Sequence, residues 1–245
     1  MMRMLTFARR NLRELLRDPL TLFFGAAFPL VLLGLLYLIQ RNIPVSLFAI
    51  ESLAPGVAVF GQSFLTLFAA LLISKDRTSA LTQRLMASPL TGADFILGYA
   101  LPLLPLAVAQ ALLCLLCAAA LGLSLAHLPL TLVAMVPSYV FYIAMGLFCG
   151  SLLNDKQVGG ICGTLLTNLS AWVSGVWFDV KLVGGVFAKI ANVLPFFHAV
   201  EAARAAAVGN VGALPGHLAV VSAYAAVMLV LAVFAFVRNM RGSKG

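Results

Sequence analysis

Charge is scarce in this 245-residue sequence, because only 10% of the residues are Asp, Glu, Lys or Arg while 62% are apolar. Soluble domains carry about 25% charged residues. An ordinary soluble protein is therefore excluded, and an integral membrane protein is indicated. The apolar runs are long and continuous rather than short and alternating, which favours membrane-spanning helices over a β-barrel. We expect one transmembrane domain over residues 1–245, without room for a second, soluble domain.

Several catalytic signatures are also missing. The sequence has no G-x-x-x-x-G-K-[ST] phosphate-binding loop, no H-E-x-x-H zinc motif and no nucleophile elbow. We therefore predict no catalytic residues, no metal site and no cofactor in this chain, so any ATP hydrolysis would belong to another subunit. The cysteines Cys114, Cys117, Cys149 and Cys162 lie in apolar runs, and we interpret them as small core residues.

Hydropathy predicts six membrane spans, each near the roughly 20 residues that a hydrocarbon core requires. They cover residues 20–39, 53–74, 95–121, 130–152, 159–178 and 217–237. Pro102 and Pro105 predict a kink or tilt in the third span. The semi-polar stretch 179–216 contains two helical patterns too short to cross, which indicate a re-entrant or interfacial hairpin. The predicted fold class is an all-α membrane protein.

The first residues predict an additional helix that does not span. Residues 3–18 place Leu5, Ala8, Leu12, Leu15 and Leu16 on one side and Arg9, Arg13 and Arg17 on the other. A basic amphipathic helix of this kind lies in the membrane interface and is attracted by anionic lipid. Asp18-Pro19 is expected to end it.

The basic residues predict the orientation. With a cytoplasmic amino terminus, twelve of the 16 Lys and Arg residues face the cytoplasm: Arg3, Arg9, Arg10, Arg13, Arg17, Lys75, Arg77, Arg84, Lys156, Arg238, Arg241 and Lys244. Only Arg41, Lys181, Lys189 and Arg204 face out. Under the positive-inside rule both termini are cytoplasmic. The net charge of +8 then follows from topology and needs no nucleic-acid partner.

A polar segment, residues 75–94, separates the second and third spans. Residues 79–87 carry Leu81, Leu85 and Met86 at helical spacing, and Ser88-Pro89 ends the pattern. Two interpretations remain open for this short cytoplasmic helix. It either lies on the lipid head groups or docks a soluble partner.

The predicted spans hold no Asp, Glu, Lys or Arg away from their ends, which disfavours a proton relay. The fifth span opens with Gly159, Gly160 and Gly163 and continues in a stripe of small and polar residues. Such a stripe either packs against a neighbouring helix or lines a substrate path between two copies. Beyond it, Glu201 and Arg204 are spaced for a local ion pair with His198 as a polar neighbour.

Two motifs resemble a known family. The sequence R-L-M-A-S-P-L at 84–90, and F-D followed by N-V-L-P-F-F-H-A-V-E-A-A-R between 178 and 204, are similar to the ABC-2 type permeases. These are the membrane subunits of bacterial ABC exporters. The resemblance extends over essentially the whole chain, from the amphipathic first helix to the outer hairpin before the sixth span.

The resemblance implies specific roles and partners. Two permeases, identical or related, would assemble in the bacterial inner membrane with separate subunits that bind ATP and Mg. Residues 75–94 would form the coupling helix that contacts the ATPase, through Arg84, Leu85, Met86, Ser88 and Pro89. The substrate path or dimer interface would include Gln62, Thr66, Thr164, Asn168 and Ser174. Family members export drugs, antibiotics, lipids, polysaccharides or peptides, and the uncharged Leu- and Phe-rich path favours an amphipathic or hydrophobic cargo.

Two other functions stay open from the sequence. One is a membrane scaffold or sensor whose helix at 79–87 binds a cytosolic partner without transport. The other is an ion-coupled carrier, which the shortage of intramembrane charge disfavours.

Overall fold

The computed structural model describes residues 2–43, 46–77 and 91–242, which are helical almost throughout and include no β-strand. The helices are α1 (Met2–Arg17), α2 (Pro19–Asn42), α3 (Ile50–Arg77), α4 (Gly92–Ala119), α5 (Leu128–Leu152), α6 (155–173), α7 (Val180–Val183), α8 (Gly185–Val193), α9 (Pro195–Ala207) and α10 (Leu214–Gly242). Single 3₁₀ turns at Ser46–Phe48 and Val211–Ala213 precede α3 and α10.

Within these described ranges, five helices are long and apolar enough to cross a membrane. They are Pro19–Asn42, Ile50–Arg77, Asp94–Ala119, Leu128–Leu152 and Val211–Asn239. The bent pair α8 and α9 would make a sixth if it is one broken span. The predicted class of all-α membrane protein is confirmed, with five to six candidate spans.

The predicted span at 159–178 differs from the observed helix α6 at both ends. Asn154 and Gln157 form a capping box, in which each side chain bonds the other's backbone N–H, and this starts the helix at Asp155. The helix stops at Val173, and Gly175 then adopts a φ of +76°, a conformation that favours glycine. Polar residues at the start and along α6 keep it out of the five strongly apolar helices.

The amphipathic helix α1 forms as predicted, but a different face is buried. Asp18 caps the next helix by accepting from the Thr21 backbone N–H and hydroxyl. Ala8 and Leu15 are buried as predicted, whereas Leu5 and Leu16 are about half exposed. Phe7 and Asn11 replace them on the inner face. The helix therefore packs against protein, on α4, rather than on lipid alone.

Phe7 and Asn11 fix this contact. The Phe7 ring meets the ring of Tyr99 edge to face at 4.8 Å between centroids. The Asn11 amide donates to the Gly98 carbonyl at 3.1 Å. Glycine at 98 lets the Phe7 ring lie directly over the α4 backbone. The first helix is thereby attached to the start of α4.

Helix α3 is the centre of the molecule. Its most apolar 18-residue window is 89% buried, against 22% for α2. Gly146 and Gly150 of α5 face it, and a Cβ on either would collide with the backbone of Thr66 or Ala70. This G-x-x-x-G spacing brings the two helix backbones into direct contact.

Within the long helices of the described ranges, two stretches depart from α-helical geometry. Phe23–Ala27 in α2 and Gly159–Leu166 in α6 are π-helical. In the second, the Thr167 hydroxyl donates to the Cys162 carbonyl, five residues back, at 3.0 Å. The Thr167 side chain thereby adds a hydrogen bond to a carbonyl of the π-helical stretch. Such stretches often occur at functional positions in helices.

The stretch between α6 and α10 folds into short helices as expected. Helices α8 and α9 meet at 78° around Leu194. At 1.5 Å per residue each is shorter than the roughly 30 Å hydrocarbon core. Helix α9 buries Phe196, Phe197 and Val200 against the rest of the protein. We call the end of the bundle holding α7 to α9 the hairpin end, and the end holding α1 and Arg77 the basic end.

The four cysteines are free thiols. Cys114 and Cys162 are buried, and Cys117 and Cys149 are half-buried. This placement agrees with the interpretation that they are small residues of the core.

Candidate functional site

At the basic end, a buried carboxylate joins three helices. Arg10 of α1 donates to both oxygens of Asp76 at the end of α3, at 2.5 and 2.9 Å. The Tyr99 hydroxyl of α4 donates to the same carboxylate at 3.0 Å. Glu14 lies 2.9 Å from the Arg10 guanidinium. We call Arg10, Glu14, Asp76 and Tyr99 the junction cluster.

Neighbouring carboxylates stabilise the charged form of Arg10. Partial burial would lower the pKa of Arg10, but the hydrogen bond and charge of Asp76, with the charge of Glu14, raise it above its ordinary value. Asp76 is only 4% exposed, so its charge needs these partners. The Arg10–Asp76 pair therefore holds α1 firmly against the end of α3.

The neighbouring Arg77 makes a second connection. Its guanidinium donates to the carbonyls of Gly150, at 3.0 Å, and Leu153, at 3.4 Å, at the end of α5. The last carbonyls of a helix lack the backbone N–H partners that a further turn would provide. A cation at the C-terminal end of a helix also interacts favourably with the helix dipole. Consecutive residues of α3 thus bind α1, α4 and α5.

Helix α4 starts at an equally defined point. The Thr91 hydroxyl accepts from the Asp94 backbone N–H at 3.2 Å, and Asp94 accepts from the Thr91 N–H at 2.9 Å. This is a complete capping box. The chain between Arg77 and Thr91 therefore begins and ends at helix termini that are fixed to the bundle. The predicted helix at 79–87, with Arg84, Leu85, Met86, Ser88 and Pro89, lies outside the described residues.

The five membrane-depth residues predicted from the sequence do not lie on one surface. Gln62, Thr66 and Ser174 are buried inside the chain, whereas Thr164 and Asn168 on α6 are exposed. Gln62 accepts from the Ser138 hydroxyl at 2.7 Å, and Thr66 donates to the Tyr142 carbonyl at 3.0 Å. Ser174 donates to a carbonyl of its own helix.

Polar atoms without a partner accompany Gln62. In the described part of the chain, the buried atoms without a hydrogen bond are Gln62 Nε2, Ser63 Oγ, Gln110 Oε1 and Tyr139 OH. They lie on α3, α4 and α5. Leaving a buried polar group unpaired costs about 1–3 kcal/mol. Ser138 and Tyr139 were not predicted as site residues, because the sequence does not show which partner a hydroxyl in an apolar run will have.

At the hairpin end, Arg204 connects three segments. It donates to Glu201 at 3.0 Å, which confirms the predicted pair. It also donates to the carbonyls of Ser52 at 3.1 Å and Gly175 at 3.0 Å. These two carbonyl contacts could not be predicted, because every residue carries a backbone carbonyl and its type does not mark it as an acceptor. The start of α3, the turn after α6 and α9 therefore meet at one guanidinium.

His198 makes contacts other than the predicted ones. Its Nε2 lies 2.8 Å from the Asn192 carbonyl, and its Nδ1 lies 2.8 Å from Nδ1 of His217. Because a carbonyl only accepts, Nε2 of His198 carries a proton and donates. In neutral His198, Nδ1 then accepts from His217. This pair fastens α9 to the first turns of α10.

Apolar spans packed around a buried central helix define a multi-pass helical membrane protein. The family comparison agrees, since the model of the ABC-2 type transporter family matches residues 2–208. The chain belongs to the ABC-2 type transporter family, and it is a multi-pass transmembrane permease of an ABC transporter, a kind of subunit that associates with an ABC ATP-binding subunit. A comparison with curated proteins gave no match.

Proposed function

We propose that this permease is the membrane half of an ATP-driven exporter in a bacterial inner membrane. Its termini and the basic end face the cytoplasm, in line with the twelve basic residues counted on that side. ATP and Mg bind in the partner subunit, and residues 75–94 are the coupling segment that contacts it.

The observation that carries this proposal is the anchoring on both sides of residues 78–90. Asp76 and Arg77 precede the segment and bind α1, α4 and α5, and the Thr91 capping box follows it. A displacement of the segment by a partner therefore moves four helices together. An unanchored loop would absorb the same displacement by its own flexibility.

A second permease copy, identical or related, completes the proposal. Helix α6 leaves Thr164, Asn168 and Trp172 exposed, and a Cβ placed on Gly159 or Gly160 would meet no atom of the described chain within 4 Å. Small and polar residues on a membrane helix favour contact with another helix over contact with lipid. The substrate path would then run beside α6, between the two copies.

The proposed cargo is amphipathic or hydrophobic: a drug, antibiotic, lipid or peptide. Support comes from the apolar composition of the membrane-depth surface, on which the exposed polar groups of α6 beyond its first turn are amides and hydroxyls. A polysaccharide would require more hydrogen-bonding groups along its path.

The test is a double substitution in the coupling segment, Arg84→Glu with Leu85→Asp. The permease and its ATPase are co-expressed, and ATP hydrolysis and cargo transport are measured in the same vesicles. In the proposed contact, Leu85 enters an apolar groove on the ATPase. We expect transport to fall at least about tenfold, because burying a charged group there costs more than the 1.4 kcal/mol that a tenfold change represents.

The matched control is Arg13→Glu with Leu16→Asp. It makes the same chemical changes on α1, where Leu16 is 51% exposed and Arg13 is also exposed. Unchanged coupling in the segment variant, at normal protein levels, would contradict the proposal. A scaffold would show no ATP-dependent transport in either variant, and an ion-coupled carrier would transport after ATP depletion when an ion gradient is imposed.

A further inference from the structure

The hairpin end contains a cavity of about 690 Å³ that the coupling mechanism does not use. It lies between the start of α3, the turn that follows α6, and α9. Small-molecule sites in proteins have volumes of roughly 300–1,000 Å³. The cavity is therefore large enough for one drug-sized molecule.

Aromatic side chains form much of its wall. Phe48, Trp177 and Phe197 line the cavity from three different segments. The Trp177 ring is held in place by Phe60, edge to face at 5.4 Å between centroids. Aromatic faces attract organic cations as well as apolar groups.

Acidic side chains outnumber basic ones among the described residues of this wall. Glu51, Asp179 and Glu201 contribute carboxylates, while Arg204 contributes a guanidinium and His217 an imidazole. Arg204 is engaged by Glu201 and by two backbone carbonyls. Because Glu201 is paired with Arg204, the negative charge that a ligand would meet comes chiefly from Glu51.

The cavity is also preformed. The contacts of Arg204 join the start of α3, the turn after α6 and α9, and the His198–His217 pair fastens α9 to α10 beside the cavity. The Arg204 side chain is only 15% exposed. A ligand would therefore meet fixed walls and would not have to order them, which favours binding.

We propose that this cavity binds a lipophilic organic cation that carries aromatic rings. The rings would lie against Trp177 and Phe197, and the positive centre would face Glu51. Binding in this cavity does not depend on the proposed function. The further statement that the ligand is exported cargo, released on the outer side, rests on it. An anion of the same shape is disfavoured by the same carboxylate.

The test uses the two tryptophans of the chain, Trp172 and Trp177. Trp172 on α6 is 63% exposed, so Trp172→Phe leaves Trp177 as the reporter inside the cavity, and Trp177→Phe leaves Trp172 as a reporter of the exposed face of α6, outside the cavity. The full-length permease in lipid nanodiscs, without its ATPase, is titrated with tetraphenylphosphonium. The matched probe is tetraphenylborate, an anion of nearly the same size and shape.

We expect saturable quenching of Trp177 by tetraphenylphosphonium, whereas any quenching of Trp172, which lies outside the cavity, should not depend on Glu51. Tetraphenylborate should bind in the cavity at least about tenfold more weakly, because cation–π and carboxylate attraction are both lost. Glu51→Gln should weaken tetraphenylphosphonium binding by a similar factor. Asp155→Asn, which removes an exposed carboxylate at the basic end, should leave it unchanged.

Equal affinity for the two probes, or no saturation at Trp177, would overturn the proposal. Both outcomes are measured with all carboxylates of the cavity intact. Unchanged affinity in the folded Glu51→Gln variant would also overturn it. Because no ATPase is present, the outcome is separate from the coupling test. If the probe binds but the coupling test fails, the protein has a cation site and does not export. If the coupling test succeeds but the probe does not bind, the protein is an exporter whose cargo binds elsewhere.

Discussion

Helices α5 and α6 follow each other in the chain and are both rich in small residues, but they use them in opposite ways. Gly146 and Gly150 of α5 lie against the backbone of α3. On α6, by contrast, a Cβ at Gly159 or Gly160 would have no atom of the described chain within 4 Å. The spacing of small residues therefore indicates a close helix partner without telling whether that partner is in the same chain.

The largest expected effect separates these two glycine pairs. Gly146→Leu would force a side chain into the backbone of Thr66, where nothing flexible can move aside. We expect a destabilisation of at least about 3 kcal/mol, the upper part of the usual range for overpacking, and loss of monodisperse protein. The measurement is size-exclusion chromatography of a fluorescent fusion with a thermal-stability series.

Gly159→Leu is the matched substitution on α6. It should leave the protomer folded, with a helix-propensity gain of up to about 1 kcal/mol. Equal damage from both substitutions would remove the distinction between an inner and an outer glycine pair.

The next effect concerns the junction cluster. Arg10→Ala would leave Asp76 buried with only Tyr99 as a hydrogen-bond donor of the cluster. Breaking a fully buried ion pair costs about 3–5 kcal/mol. Because the Arg10 side chain is 41% exposed and solvent screens it, we expect about 2 kcal/mol. Thermal unfolding in detergent measures it.

Arg9→Ala is the control for this substitution, since Arg9 is exposed on the same helix. Its effect should stay within about 0.5 kcal/mol. A loss as large as that of Arg10→Ala would mean that the general charge of α1, rather than the contact with Asp76, stabilises the basic end.

The third prediction tests the exposed face of α6 directly. In a variant whose four cysteines are replaced by alanine, Thr164→Cys should form a disulfide-linked dimer on mild oxidation in membranes. Val230→Cys on α10, which is also exposed at 69%, should not. Non-reducing gel electrophoresis distinguishes the two, and cross-linking at Val230 instead would assign the second copy to α10.

The smallest stability effect is expected at Gln62. Its Nε2 has no partner in the described chain, and Ser138 retains a second acceptor, the Met135 carbonyl at 2.6 Å. Gln62→Met should therefore change stability by less than about 1 kcal/mol. If transport falls strongly in this well-folded variant, Gln62 has a role in the path that packing does not explain.

Sequence reasoning predicted the parts of this fold that composition and helix-ending residues determine. The five strongly apolar helices, the break at Asp18-Pro19 and the Glu201–Arg204 pair all follow from local pattern. The face of α1 could not be predicted, because Phe7 and Asn11 are buried by contacts with α4, far away in the chain.

The candidate site was less accessible to the sequence. Asp76 reads as one charge in a polar segment, and only the fold brings Arg10 and Tyr99 to it. Gln62 and Thr66 read as neighbours of Thr164 and Asn168, but helix α3 points them inward. The G-x-x-x-G pair at Gly146 and Gly150 was present in the sequence and was missed in favour of the glycines of α6.

The π-helical stretch of α6 has a mechanical consequence. A π turn holds more residues than an α turn, so a return to regular geometry would rotate everything beyond Leu166 by about 100° for each residue released. A rotation of that size would move Asn168 and Trp172 away from the exposed positions that they now occupy. A change in the winding of α6 at one end would therefore change which side chains its other half exposes.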